Sequence, residues 1–183
     1  ARIQSESLRN ILEAIQNPAD VRAKEFRRRA EVACANGWLD DAEREFEQAI
    51  EQDPYDFSLY QALGSIVFRQ GKDLHKARAN FERSAKYAMP RSPQDAAEAL
   101  LCAAAVAESQ SNFVDAEAFA VAAKDLQPSS PGPRYAVARY QARIGMPWED
   151  IERPLWEALC LSPPIALIAE QDPALADFKH QVM

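Results

Sequence analysis

Residues 36–54 read NGWLDDAEREFEQAIEQDP. A glycine and an aromatic precede a strongly helical run, and a proline closes it. Within the run Ala42, Phe46 and Ala49 stand four and three residues apart, on one helical face. Asp53-Pro54 ends the helix, because proline disfavours helical geometry in the residue before it. Gly37 supplies the left-handed backbone that terminates a preceding helix. A single occurrence would be an ordinary amphipathic helix; recurrence at a constant interval decides the architecture.

The pattern recurs. Gly37, Gly71 and Gly145, with Ser111 in the corresponding place, are spaced 34, 40 and 34 residues apart. Pro54, Pro90, Pro128 and Pro163 follow the second helix of each unit. A fixed period of this size marks stacked supersecondary units. Unit one has Ala30, then Ala42, Phe46 and Ala49; unit two has Tyr60, Leu63, Gly64, Ala77 and Phe81, with one extra residue in the turn KDLHKA. Unit three offers Leu100, Ala104, Ala116, Ala120 and Ala123, and unit four Ala138, Ile151, Leu155 and Ala158.

On these residues, and on LGSIVFRQGKD and GWLDDAEREFEQAIEQDP in particular, the chain resembles the tetratricopeptide repeat (TPR) family from Ala23 to about Pro163. The resemblance implies an all-α fold, a right-handed superhelical stack of about four helix-turn-helix hairpins with a packing helix at each end. The array is expected over 18–163, with units near 23–56, 57–90, 97–130 and 131–164. Ala42 and Ala49 are small where two helices cross, and burial of Phe46 contributes roughly 1.5–3 kcal/mol. Two residues depart from the pattern: Arg29 stands where leucine is usual, and Arg134 where a large apolar residue is expected.

The ends and connections follow the same logic. In residues 5–16, Leu8, Ile11, Leu12 and Ile15 form one stripe, read as a packing helix over 1–17 or as the tail of an upstream coiled coil. Asn17 is placed to cap the next helix, and Ser92 the third hairpin. Pro90 and Pro93 interrupt AMPRSPQDAAEA, the long connection of residues 88–99. Pro154, inside the last repeat helix, predicts either a kink or a late helix start. A single capping helix is expected over 165–183, supplied by Ile165, Ile168, Leu175 and Phe178.

Composition bounds the function. The 183 residues suffice for a sizeable domain, and 48% apolar with 27% charged residues excludes a disordered chain. No apolar run is long enough to span a membrane. Cys34, Cys102 and Cys160 fit neither a disulfide framework nor a zinc spacing and read as small buried hydrophobes. With no signal-peptide pattern at the start, a reducing, cytoplasmic compartment is expected. The chain opens on Ala1 rather than methionine, as a processed or excised piece would. A net charge of −7 argues against a nucleic-acid partner.

Chemistry-bearing motifs are missing from the sequence. His75, read in a turn, and His180 have no metal-ligand spacing, and no nucleophile elbow or phosphate loop occurs. Asp40-Asp41 read as helix-start acids that favour the helix dipole and cap the helix. Arg27-Arg28-Arg29 spread over most of a helical turn and read as a solvated face with local ion pairs. No cofactor, metal or catalytic residue is expected.

What remains is a surface. In the TPR family the first helix of each hairpin lines a concave peptide groove. Carried over by register, that face holds Lys24, Arg27 and Glu31 in unit one, and Ser58, Gln61, Ser65, Phe68 and Arg69 in unit two. Unit three contributes Leu101, Cys102, Ala105 and Glu108, and unit four Tyr135, Arg139 and Arg143. Basic ends and an apolar middle around Phe68 and Leu101 suit an acidic peptide with apolar anchors. The carboxylate clamp of co-chaperone members does not fit, since its asparagine places carry Glu31 and Ala62 and two basic places Glu98 and Cys102. The sequence therefore reads as a non-enzymatic interaction module of a longer, bacterial-type scaffold. The alternatives are a chaperone for a secreted or assembling client, and an enzyme whose catalytic domain lies upstream.

Overall fold

The computed structural model describes residues 17–178, with side chains through Ala176. Among the described residues there are nine α-helices, one 3-10 helix and no strand. They are α1 (Pro18–Ala35), α2 (Leu39–Gln52), α3 (Phe57–Gln70), α4 (Leu74–Ala88), α5 (Pro93–Ser109), α6 (Phe113–Leu126), α7 (Pro131–Ile144), α8 (Trp148–Leu161) and α9 (Ile165–Gln171), with the 3-10 helix at Pro173–Phe178. The chain divides into two compact units, residues 1–84 and 85–183. The boundary falls inside α4.

In the first unit, α1 and α2 pair tightly around the turn Asn36-Gly37-Trp38, where Gly37 has φ +77°. The contact is made by small side chains: Ala23, Ala30 and Ala33 of α1, and Ala42 and Ala49 of α2, are buried. Phe46 is buried beside them and supplies bulk that alanine cannot. α3 buries Leu59, Tyr60, Leu63, Ile66 and Val67. Its Gly64 lies under Phe81 of α4, so close that a Cβ there would sit 2.9 Å from the ring carbon Cε1. The Ser84 hydroxyl of α4 donates to the Phe57 carbonyl at 2.9 Å, satisfying a buried polar group. Lys76 of α4 reaches back to α2, donating to Glu47 at 2.6 Å and to Glu43.

The second unit repeats the arrangement. Its α5 begins with Ser92 as N-cap, whose hydroxyl accepts from Asp95 N at 3.4 Å, and with Pro93 in the first turn. Asn112 caps α6 by accepting from Asp115 N at 3.2 Å. Between α5 and α6, Ser111 takes φ +59°, the one non-glycine residue of left-handed conformation among those described. It stands where the other units have glycine, as the spacing predicts. Ala138, Ile151, Leu155, Ala169 and Leu175 form the core under the C-terminal segment.

Several expectations need correction. The N-terminal stripe Leu8, Ile11, Leu12 and Ile15, like His180 and the Phe178 side chain, lies outside the described residues. Asn17 occupies the N-cap of α1, but its side chain makes no capping bond; Pro18, with no N–H to satisfy, opens the helix instead. The long connection shrinks to residues 89–92, because Pro93 starts a helix rather than blocking one. α8 begins at Trp148, so of the two expectations for Pro154 the late start is overturned, and the proline lies inside the helix. The expected single capping helix is two short pieces, since Asp172-Pro173 stops α9 after seven residues. Ile168 is 57% exposed and adds nothing to that core. Cys160 is exposed, and Cys34 and Cys102 are half-buried, so none is a fully buried hydrophobe. His75 sits in the first turn of α4 and not in a loop.

Candidate partner-binding faces

In the first unit, the register positions on α1 and α3 are held in place by a polar bridge. Arg27 of α1 donates to Asp56 at 2.9 Å and to the Ser58 hydroxyl. Asp56 is the N-cap of α3 and accepts from Ser58 N at 2.9 Å and from its hydroxyl at 2.6 Å. One arginine thereby ties the first helices of two hairpins together at a helix N-terminus. Lys24 is exposed and pairs with Asp20 at 2.7 Å. Ser65 donates to the Gln61 carbonyl at 2.9 Å, Phe68 is half-buried, and Arg69 is exposed. Burial raises the Cys34 thiol, with the Arg69 charge acting against it. Arg29 projects outward, pairing with Glu25 and stacking 5.5 Å from the Phe26 centroid. Arg27 and Arg29 therefore serve different faces.

In the second unit the register positions meet a network that spacing alone did not reveal. Arg139 of α7 pairs with Glu108 of α5 and, through Nε, with Asp172 at 3.0 Å. The Tyr135 hydroxyl donates to Asp172 Oδ2 at 2.6 Å, and the Tyr140 hydroxyl to Glu108 at 3.2 Å. Asp172 is buried, and it anchors the α9 end to α7. Burial and the Asp172 carboxylate raise the Tyr135 hydroxyl. Burial, then the Glu108 charge, push Tyr140 up to about 12. For Arg139, burial works against the charged form, but Glu108 and Asp172 outweigh it and the guanidinium is held charged.

Around this network lies an open cavity of about 520 Å³ lined by Tyr135, Arg139, Leu167, Ile168, Gln171, Asp172 and Pro173. Leu101 is half-buried against the alanines of α5 and α6. Arg143 is exposed, its guanidinium 5.8 Å from the Phe113 centroid. Arg134, out of pattern in the sequence, is accommodated by an ion pair with Glu157 of α8 at 3.0 Å and a bond to the Ser130 carbonyl at 3.4 Å. Sequence reasoning passed over Asp172. Its one local signal is the Asp-Pro pair, the same helix stop as Asp53-Pro54.

The acidic pair Asp40-Asp41 lies in the first turn of α2, as expected, but makes no cap: Trp38 occupies the cap position. Asp40 instead accepts from Lys72 at 2.7 Å and Gln70 at 2.9 Å, and Asp41 pairs with Arg44.

The fold these hairpins define is the tetratricopeptide repeat fold, and comparison with solved structures agrees. The chain is similar to MamA, at TM-score 0.67 and 15% identity over 86% of each chain. It is similar to YrrB, described as a TPR protein with an unusual peptide-binding site, at 0.66 and 15% identity over 94% of this chain and 85% of that one. A MamA RS-1 double mutant matches at 0.69 and 16% identity over 88% of each. No protein-family model and no curated protein matches the chain. No helix among the described residues is long and apolar enough to cross a membrane.

Proposed function

We propose that the chain is a non-enzymatic interaction module, a scaffold or adaptor that takes a peptide or partner protein on the first-helix faces of its hairpins. The observation that carries this reading is the cavity at α7. Two positions assigned to a groove by register, Tyr135 and Arg139, line it together with the exposed apolar side chains Leu167 and Ile168. A concave site with apolar walls and a few fixed polar groups is what a peptide side chain needs. The likeness to YrrB, described as a TPR protein with an unusual peptide-binding site, supports this reading. Arg143, exposed and braced on Phe113, adds positive charge on the same helix and favours an acidic segment with one or two aliphatic anchors. The module works without a cofactor, in the cytoplasm of a bacterium.

Titration of the full chain with an acidic, leucine-bearing peptide tests the reading. Arg143→Glu and Leu167→Ala are expected to weaken binding about tenfold each, as anchor residues do; Leu167 is 64% exposed, so its loss spares the fold. Arg139→Glu is the wrong probe, because it would set three carboxylates together and loosen the α9 segment. Absence of binding, or an unchanged affinity in the Arg143 and Leu167 variants, overturns the proposal.

A further inference from the structure

A second face lies on α8. Ile151, Leu155 and Ala158 form its buried stripe, and Trp148, Glu152 and Trp156 run beside that stripe at four-residue spacing. The two indoles stand two turns apart, about 12 Å along the helix. They border an open cavity of about 510 Å³ that also takes in Glu149, Arg153 and Glu157. Trp148 packs on the core beneath α9, which fixes it, whereas Trp156 is 64% exposed. Tryptophan is among the strongest anchors of protein interfaces, and this exposed one borders a cavity that a second indole shares.

The charges around the cavity say what fits. Arg153 pairs with Glu157 at 3.0 Å, and Glu157 also binds Arg134 at 3.0 Å. These bonds, that from Arg153 first, hold the Glu157 carboxyl below the usual glutamate value. Glu149 and Glu152 are exposed, and no ion pair among the described residues engages them. The uncompensated charge is negative. An indole face is also negative by its quadrupole, so indoles and carboxylates together select a cation, and arginine can stack on one while bonding to the other.

We propose that this face of α8 docks a basic amphipathic segment of a partner protein, with an arginine stacked on the exposed Trp156 and paired to Glu149 or Glu152. The face is separate from the α7 cavity and does not depend on it. The test uses the full chain and a fluorescent helical peptide of roughly five turns, with arginines flanking a leucine stripe, read by anisotropy. A glutamate-for-arginine version of the peptide is the control. The arginine peptide is expected to bind, with Trp156→Ala and Glu149→Lys/Glu152→Lys each losing about tenfold or more. Arg143→Glu leaves this binding unchanged. Circular dichroism melts confirm that the variants remain folded. The proposal is overturned if the glutamate peptide binds equally, or if folded Trp156→Ala retains full affinity. A Trp156-dependent dimer in sedimentation would assign the face to a second copy and overturn it too.

Discussion

Ser111 holds φ +59° where the corresponding units use glycine, and an L-residue with a Cβ is strained there by about 1–2 kcal/mol. Ser111→Gly removes that strain at a smaller cost in chain entropy, so stability is expected to rise by roughly 0.5–1 kcal/mol in urea unfolding. Gly64 is the opposite case. Its φ is ordinary, but the Phe81 ring occupies the space a methyl group would need. Gly64→Ala is expected to cost about 1–3 kcal/mol by overpacking; a change below half a kcal/mol would mean that the ring slides aside. Both positions were legible as repeat landmarks. The close seating of Phe81 on Gly64 was not, because it depends on how far apart α3 and α4 settle. Arg134 teaches the same lesson: its departure from pattern was visible, its partner Glu157 on another helix was not.

Pro154 tests how strongly a neighbour can impose a helix. Proline lacks the N–H that would bond to the Asp150 carbonyl, and its ring crowds that oxygen. α8 nevertheless runs from Trp148 to Leu161, because Ile151, Leu155 and Ala158 are buried on both sides of the proline. Pro154→Ala is expected to raise stability by about 1–3 kcal/mol, read from the urea midpoint. The hairpins themselves were readable, since glycine and proline punctuate them and alanine marks their crossings. The C-terminal segment was not. Apolar spacing there suggests one helix, whereas Asp172 turns inward to Tyr135 and Arg139, contacts made between elements far apart in sequence.

At the scale of the whole molecule, ionisation sets the alkaline limit. Tyr140 is raised to about 12 by burial and the Glu108 charge, and Tyr135 is raised in the same direction. An unfolded tyrosine loses its proton near 10, so between about pH 10 and 12 the unfolded chain binds fewer protons than the folded one, and stability falls as pH rises. Lys76, held charged by Glu43 and Glu47 despite its burial, adds to the loss over the same range. Urea midpoints are expected to be flat up to about pH 9 and to decline above 10. Tyr135→Phe/Tyr140→Phe should flatten that decline, and an unchanged slope would assign it elsewhere. Of the residues in the α7 network, register placed Tyr135 and Arg139 on a first-helix face, while their partners Glu108 and Asp172 lie on other elements and spacing does not pair them. One further property follows from the helix crossings. The buried stripe of α5 is six alanines with one leucine and one valine, and alanine dominates the α1, α2 and α6 contacts as well. A core built so largely of single methyl groups hydrates little hydrocarbon when it opens. Its heat-capacity step should fall below the roughly 12–15 cal/mol/K per residue of ordinary domains, giving a flatter stability curve and resistance to cold inactivation.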